Sequence, residues 1–133
     1  MEKKDYRLAS MPSAQCHVVI KRYGESDNSE SAIEVELWSY ATHVLTISYS
    51  HDGVLKLEAS GTYSVTTARH INRFTTEFLG SNYYHKVKTA INGFEYFYVV
   101  FVRKCEDLDP VKTSFFSAIQ RYNVSGKRFY GRY

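Results

Sequence analysis

The sequence predicts an α+β fold: a twisted, mainly antiparallel sheet of five or six strands with two helices packed on one face. Three observations carry this reading. Segments at 33–37, 45–49 and 55–59 alternate apolar and polar residues at the period of half-exposed strands. The dipeptides Asp52-Gly53 and Asn92-Gly93 stand where two-residue hairpin turns need residues that tolerate positive φ. Two further stretches, 67–79 and the one opened by Asp109-Pro110, repeat apolar residues at helical spacing. With 133 residues, 44% of them hydrophobic, the chain can bury one core, so residues 1–133 are expected to form a single domain that ends in a basic, aromatic tail at 127–133.

In chain order, a polar start leads into Cys16-His17-Val18-Val19-Ile20-Lys21, whose β-branched residues predict a strand. The acidic, Ser-rich stretch 24–31 follows as a loop. Ile33, Val35 and Leu37 then share one face of a strand, with Glu34 and Glu36 on the other. Leu45, Ile47 and Tyr49 lead into the Asp52-Gly53 turn, and Leu55, Leu57 and Ala59 lead out of it. Between Thr67 and Leu79, Ile71, Phe74 and Phe78 fall on one helical face, and Gly80 supplies a stop. Lys86 to Ile91 reads as a strand entering the Asn92-Gly93 turn. The exit, Phe94 to Val102, is apolar at nearly every position and predicts a central strand covered on both faces. Two short helices shield only one face, so the other is expected to form a homodimer contact. Asp109 caps and Pro110 opens the last helix, with Val111, Phe115, Ala118, Ile119 and Tyr122 as its apolar stripe.

The formal charge of +3 is too small to announce nucleic-acid binding, but its distribution is uneven. Glu25, Asp27, Glu30, Glu34 and Glu36 crowd 24–36 with no basic residue among them, whereas 127–133 holds Lys127, Arg128 and Arg132 with no acid. No apolar run has signal-peptide or membrane-span length, which predicts a cytosolic protein without a membrane partner. Cys16 and Cys105 form no CxxC pair and are expected as reduced thiols. His17, His43, His51, His70 and His85 show no HxH or HExxH spacing, and neither a GxSxG elbow nor a phosphate-binding glycine loop occurs. No metal, no cofactor and no catalysis are expected.

The densest polar cluster is Thr62 to Arg73, at the start of the first helix. Thr66 or Thr67 can cap the helix, and free first-turn amides together with Arg69, His70 and Arg73 would make an anion site. Arg69 and Arg73 are four apart and share a face. A structural alternative has the threonines only capping, His70 flanking the core and Arg73 pairing with Glu77. The tail interleaves Lys127, Arg128 and Arg132 with Phe129, Tyr130 and Tyr133, a composition suited to stacking on bases, to protein contact, or simply to solvation. Its removal is expected to leave the domain folded.

Tyr63-Ser64-Val65-Thr66-Thr67-Ala68-Arg69-His70-Ile71-Asn72, preceded by Ser39-Tyr40-Ala41-Thr42-His43-Val44 and an Asp-Gly hairpin, resembles a pattern in small proteins of tailed bacteriophages. In those, an SYxTxV strand is followed by a YSxTTxxHI strand-to-helix segment, and the similarity spans roughly 38–80. The resemblance implies a phage origin and no particular reaction. Small phage proteins outside the structural genes often disable host immunity. The expected function is therefore a non-enzymatic accessory protein of the host cytoplasm that binds and inhibits a component of bacterial anti-phage defence, an anti-CRISPR-like inhibitor of a host protein or ribonucleoprotein. The alternative is a binder of nucleic acid or a nucleotide. Thr66, Thr67, Arg69, His70, Arg73, Lys127, Arg128, Tyr130 and Arg132 are the expected binding residues.

Overall fold

A computed structural model describes residues 1–12, 15–26, 30–59, 65–92 and 98–130, with only the backbone of Val65, Thr66, Asn92 and Tyr98. Six strands, β1 (Glu2–Arg7), β2 (Cys16–Arg22), β3 (Ser31–Ser39), β4 (Thr42–Ser50), β5 (Val54–Ala59) and β6 (Tyr98–Lys104), form one open antiparallel sheet in sequence order. The helices are α1 (Val65–Leu79), α2 (Tyr84–Asn92) and α3 (Pro110–Ser125). The α+β class holds, with three helices where two are expected from the sequence.

Register explains the two faces of the sheet. Ile20, Val35, Ile47, Leu57 and Phe101 line up across five strands, and Val18, Leu37, Leu45 and Ala59 form the next row. These rows pack into one core with Ile71, Phe74 and Phe78 of α1 and Phe115, Ala118, Ile119 and Tyr122 of α3, the stripes read from helical spacing. Asp109 caps α3 as expected, its carboxylate accepting from the Val111 and Lys112 amides at 2.9 and 3.4 Å. Gly80 ends α1 at φ +79°, and Gly53 takes φ +87° in the β4–β5 turn. In the tight β3–β4 turn Tyr40 adopts φ +56°, a conformation that L-residues with large side chains avoid.

Three expectations need correction. Residues 86–91 are helical. Val87 and Ile91, four apart, are buried while Lys86, Lys88 and Thr89 face out, and Asn82 Oδ1 accepts from the Tyr84 amide at 2.8 Å to start the turn. Six residues with alternating polarity fit either period, and here helical burial wins. The apolar run ending at Val102 is an edge strand rather than a central one, because among the described residues β6 pairs only with β5. Val99 and Val102 are 53% and 58% exposed. Residues 94–97 of that run and Gly93 of the expected turn lie outside the described residues. The polar start is itself a strand, β1, which buries Tyr6 and puts charged residues along the sheet edge.

Candidate binding site

The start of α1 is fastened to the end of β3. Helix α1 begins at Val65, so Thr67 lies inside its first turn, and Thr67 Oγ1 is 3.1 Å from Ser39 Oγ at the end of β3. Ser39 Oγ is also 2.7 Å from His70 Nδ1, and all three residues are buried. The Tyr40 ring stands 6.2 Å from His70, which ties the strained turn to the same contact. Thr67 and His70 are thus turned inward against β3, the placement that the structural alternative for His70 describes, and not toward solvent as the anion-site reading has them. The side chain of Thr66 lies outside the described residues. Arg69 and Arg73, one turn apart, are exposed.

Toward the end of α1 lie the cations that do converge. Glu77 accepts hydrogen bonds from the Ser10 amide at 3.0 Å and from the Ser10 hydroxyl through its Oε2, and from the Tyr122 hydroxyl at 2.8 Å through Oε1. Tyr122 in turn accepts from the Ala9 amide at 2.8 Å. These bonds join β1's end, α1 and α3 around a recess of about 270 Å³, with Leu8 and Tyr122 as its apolar base and Arg7, Arg121 and Lys127 in its walls. A second hollow of about 360 Å³ shares Glu77 and is lined by Ser10, Asn72 and Arg73. Arg73 and Lys127 therefore border two hollows that share Glu77. Arg7 and Arg121 complete the cluster. Sequence reasoning missed both, although Arg121 is readable beside the buried Tyr122 of the α3 stripe.

The electrostatics of the recess come from its partners. Burial, and then the nearby Glu77 carboxylate, push the Tyr122 hydroxyl well above its ordinary range, so it remains a proton donor. The same two causes push the Cys16 thiol up to about 12, leaving it an unreactive small hydrophobe. Cys16 and Cys105 are free and buried. Among the described residues no group of three or more His, Cys, Asp or Glu is arranged to hold a metal ion.

The tail is structural where it is described. Residues 127–130 run beside β1: the Arg7 amide donates to Lys127 O at 2.7 Å and the Phe129 amide to Asp5 O at 3.0 Å, with a bridge between Tyr6 and Arg128. Arg128 Nε donates to Asp5 O at 3.2 Å, so this cation helps to hold the edge. Tyr130 is exposed, and Arg132 lies outside the described residues. Phe129 is buried against His17 on the face opposite the helices, rings 4.3 Å apart and nearly parallel. Trp38 and His43 continue that row across β3 and β4. Residues 127–130 are thus docked on β1 and packed on His17.

Beside the row lies Glu36, which alternation places on the outer face but which is buried under its neighbours. Lys21 Nζ donates to it at 2.9 Å and Trp38 Nε1 at 3.2 Å. Burial alone would raise the Glu36 carboxyl, yet these donors and His43 outweigh it and hold it below the usual carboxylate range.

His17 and His70 set an acid limit on stability. Burial lowers both below 6.5, in His17 against the opposing pull of Asp5 and Glu36 and with a small contribution from Lys3. Above that value folded and unfolded chains both carry neutral rings. Below it the unfolded chain takes up protons that the folded chain refuses, so stability falls. Urea unfolding at about pH 7.5 and about pH 5.5 should show the loss, and a His17→Gln/His70→Gln variant should show a flatter profile. A wild-type stability that is level or rising toward acid over this window contradicts the assignment.

Residues 7–91 match a family described as a family of unknown function (DUF8033). The chain belongs to that family. The DUF8033 span runs from the last residue of β1 through nearly all of α2 and includes Arg7, Arg69, Arg73 and Glu77. Helix α3 and the docked tail, with Arg121 and Lys127, fall outside the matched residues, so the recess is built partly from the family span and partly from the chain beyond residue 91. No curated protein and no solved structure matches the chain. Among the described residues no helix is long and apolar enough to cross a membrane.

Proposed function

We propose that this DUF8033 member is a non-enzymatic binding protein that engages an acidic surface of a macromolecular partner through Arg7, Arg73, Arg121 and Lys127. From the resemblance to small tailed-phage proteins, we take the partner to be a component of bacterial anti-phage defence, with a CRISPR–Cas effector as the first candidate. The observation that carries the reading is the convergence of four exposed cations from β1, α1, α3 and the tail around one internally satisfied carboxylate. Glu77 already accepts from Ser10 and Tyr122, and the four cations are exposed, where charges add little to folding. Cations clustered in this way steer and orient an anionic partner.

Expression of the protein in bacteria carrying an active CRISPR–Cas system should restore plating of a targeted phage. An Arg73→Ala/Arg121→Ala/Lys127→Ala variant should lose that protection while keeping a wild-type melting curve, because exposed charges add little to folding. Absence of protection across a panel of defence systems, or full protection by the variant, would overturn the reading. Nucleic-acid binding is the second reading, favoured by Tyr130, which is 85% exposed and lies close in sequence to Arg128. It requires affinity for DNA or RNA that falls steeply with salt.

A further inference from the structure

We infer that the recess between β1, α3 and the tail binds a short acidic peptide segment, seating one apolar side chain between flanking carboxylates. The inference rests on the proposed function and names the ligand chemistry of the same surface. Two properties coexist in this cavity. Leu8, Ala9, Pro12 and the Tyr122 ring give its lining an apolar part, and Arg7, Arg121 and Lys127 outnumber the one acid there, Glu77, whose carboxylate is already bonded to Ser10 and Tyr122. A bare phosphate would use the cations and leave the apolar part wet, whereas a charged-and-apolar segment satisfies both.

The adjoining hollow shares Glu77 and is lined by Arg73, so a segment crossing Glu77 from one hollow to the next would bring a second carboxylate to Arg73. The cavity of about 270 Å³ suits a single aliphatic side chain with part of its backbone better than a folded surface.

The test uses the full chain and an N-acetylated, C-amidated peptide Asp-Glu-Leu-Asp-Glu. Titration should give saturable amide shifts at Leu8, Ala9, Gly126 and Lys127. Binding should weaken by about tenfold when the central Leu is Gly, when the acids become Ser and Asn, or when the protein carries Arg121→Ala/Lys127→Ala. Absence of binding, equal affinity for the Gly peptide, shifts centred elsewhere, or tighter binding of inorganic phosphate or a short single-stranded DNA would each overturn the inference. Failure of the peptide with protection still lost in the cation variant removes the inference and leaves the proposed function standing. Specific peptide binding by a protein that protects against no defence system removes the defence role and leaves the ligand assignment.

Discussion

Replacing Phe78 with alanine is expected to cost about 3–5 kcal/mol of folding stability, more than truncation of any partly exposed aromatic in this chain. Phe78 is fully buried at the seam of the two long helices, where its ring lies 5.0 Å from Phe74, 5.4 Å and almost parallel to Tyr122, and 6.3 Å from Phe115. Rings in such arrangements add to the area they bury, and a close-packed interior relaxes only in part into the space left behind. Phe116 is the internal control: one residue beyond Phe115, 38% exposed, and edge-on to Tyr49 at 5.0 Å. Chemical denaturation of Phe78→Ala and Phe116→Ala should separate the two clearly. A Phe78→Ala loss no larger than that of Phe116→Ala would show that the helix seam does not carry the stability assigned to it.

What the sequence made legible tracks how far each signal extends. The stripes of α1 and α3 run over three or more turns, and Ile71, Phe74, Phe78, Phe115, Ala118, Ile119 and Tyr122, which helical spacing selects, are all buried, while Val111 is only partly so. Helix α2 presents a window of six residues in which Val87, Ala90 and Ile91 fit two periods, so local pattern could not choose; packing against β5 and β6 decides. Strand β1 carries almost no apolar signal because edge strands are kept charged, and it becomes a strand through its partners, β2 on one side and the tail on the other.

The site divides in the same way. Arg69 and Arg73 are readable from a spacing of four, but whether His70 turns in or out depends on Ser39, thirty-one residues away. The junction of Arg7 with Lys127 is closed only by the docked tail, through a hydrogen bond spanning nearly the whole chain. Glu36 shows the converse failure. Alternation assigns it to the outer face, where it does lie, yet burial there depends on Lys21, Trp38 and His43 from both neighbouring strands and its own.

The second large effect concerns Phe129, because it fixes the tail and the tail carries Lys127. Gly126 shows how closely the chain turns at this point: a Cβ there would lie 2.5 Å from Tyr122 O and 2.8 Å from the Tyr6 ring, although its φ of −64° suits any residue. After that turn, two backbone bonds to β1 set the direction, and the stacking of Phe129 on His17 supplies the apolar anchor. Phe129→Ala keeps the backbone donors and removes the ring, so it should cost about 3 kcal/mol, toward the low end for a buried phenylalanine because the site is peripheral. It should also speed hydrogen exchange at the Arg7 amide, whose acceptor is Lys127 O. Lys127→Ala should leave both readings unchanged and weaken partner binding, whereas Phe129→Ala should weaken binding as well, through the lost position of Lys127. Equal stability of Phe129→Ala and wild type, with the Arg7 amide still protected, would mean that the backbone bonds hold the tail without the ring and that the recess is preformed independently of it.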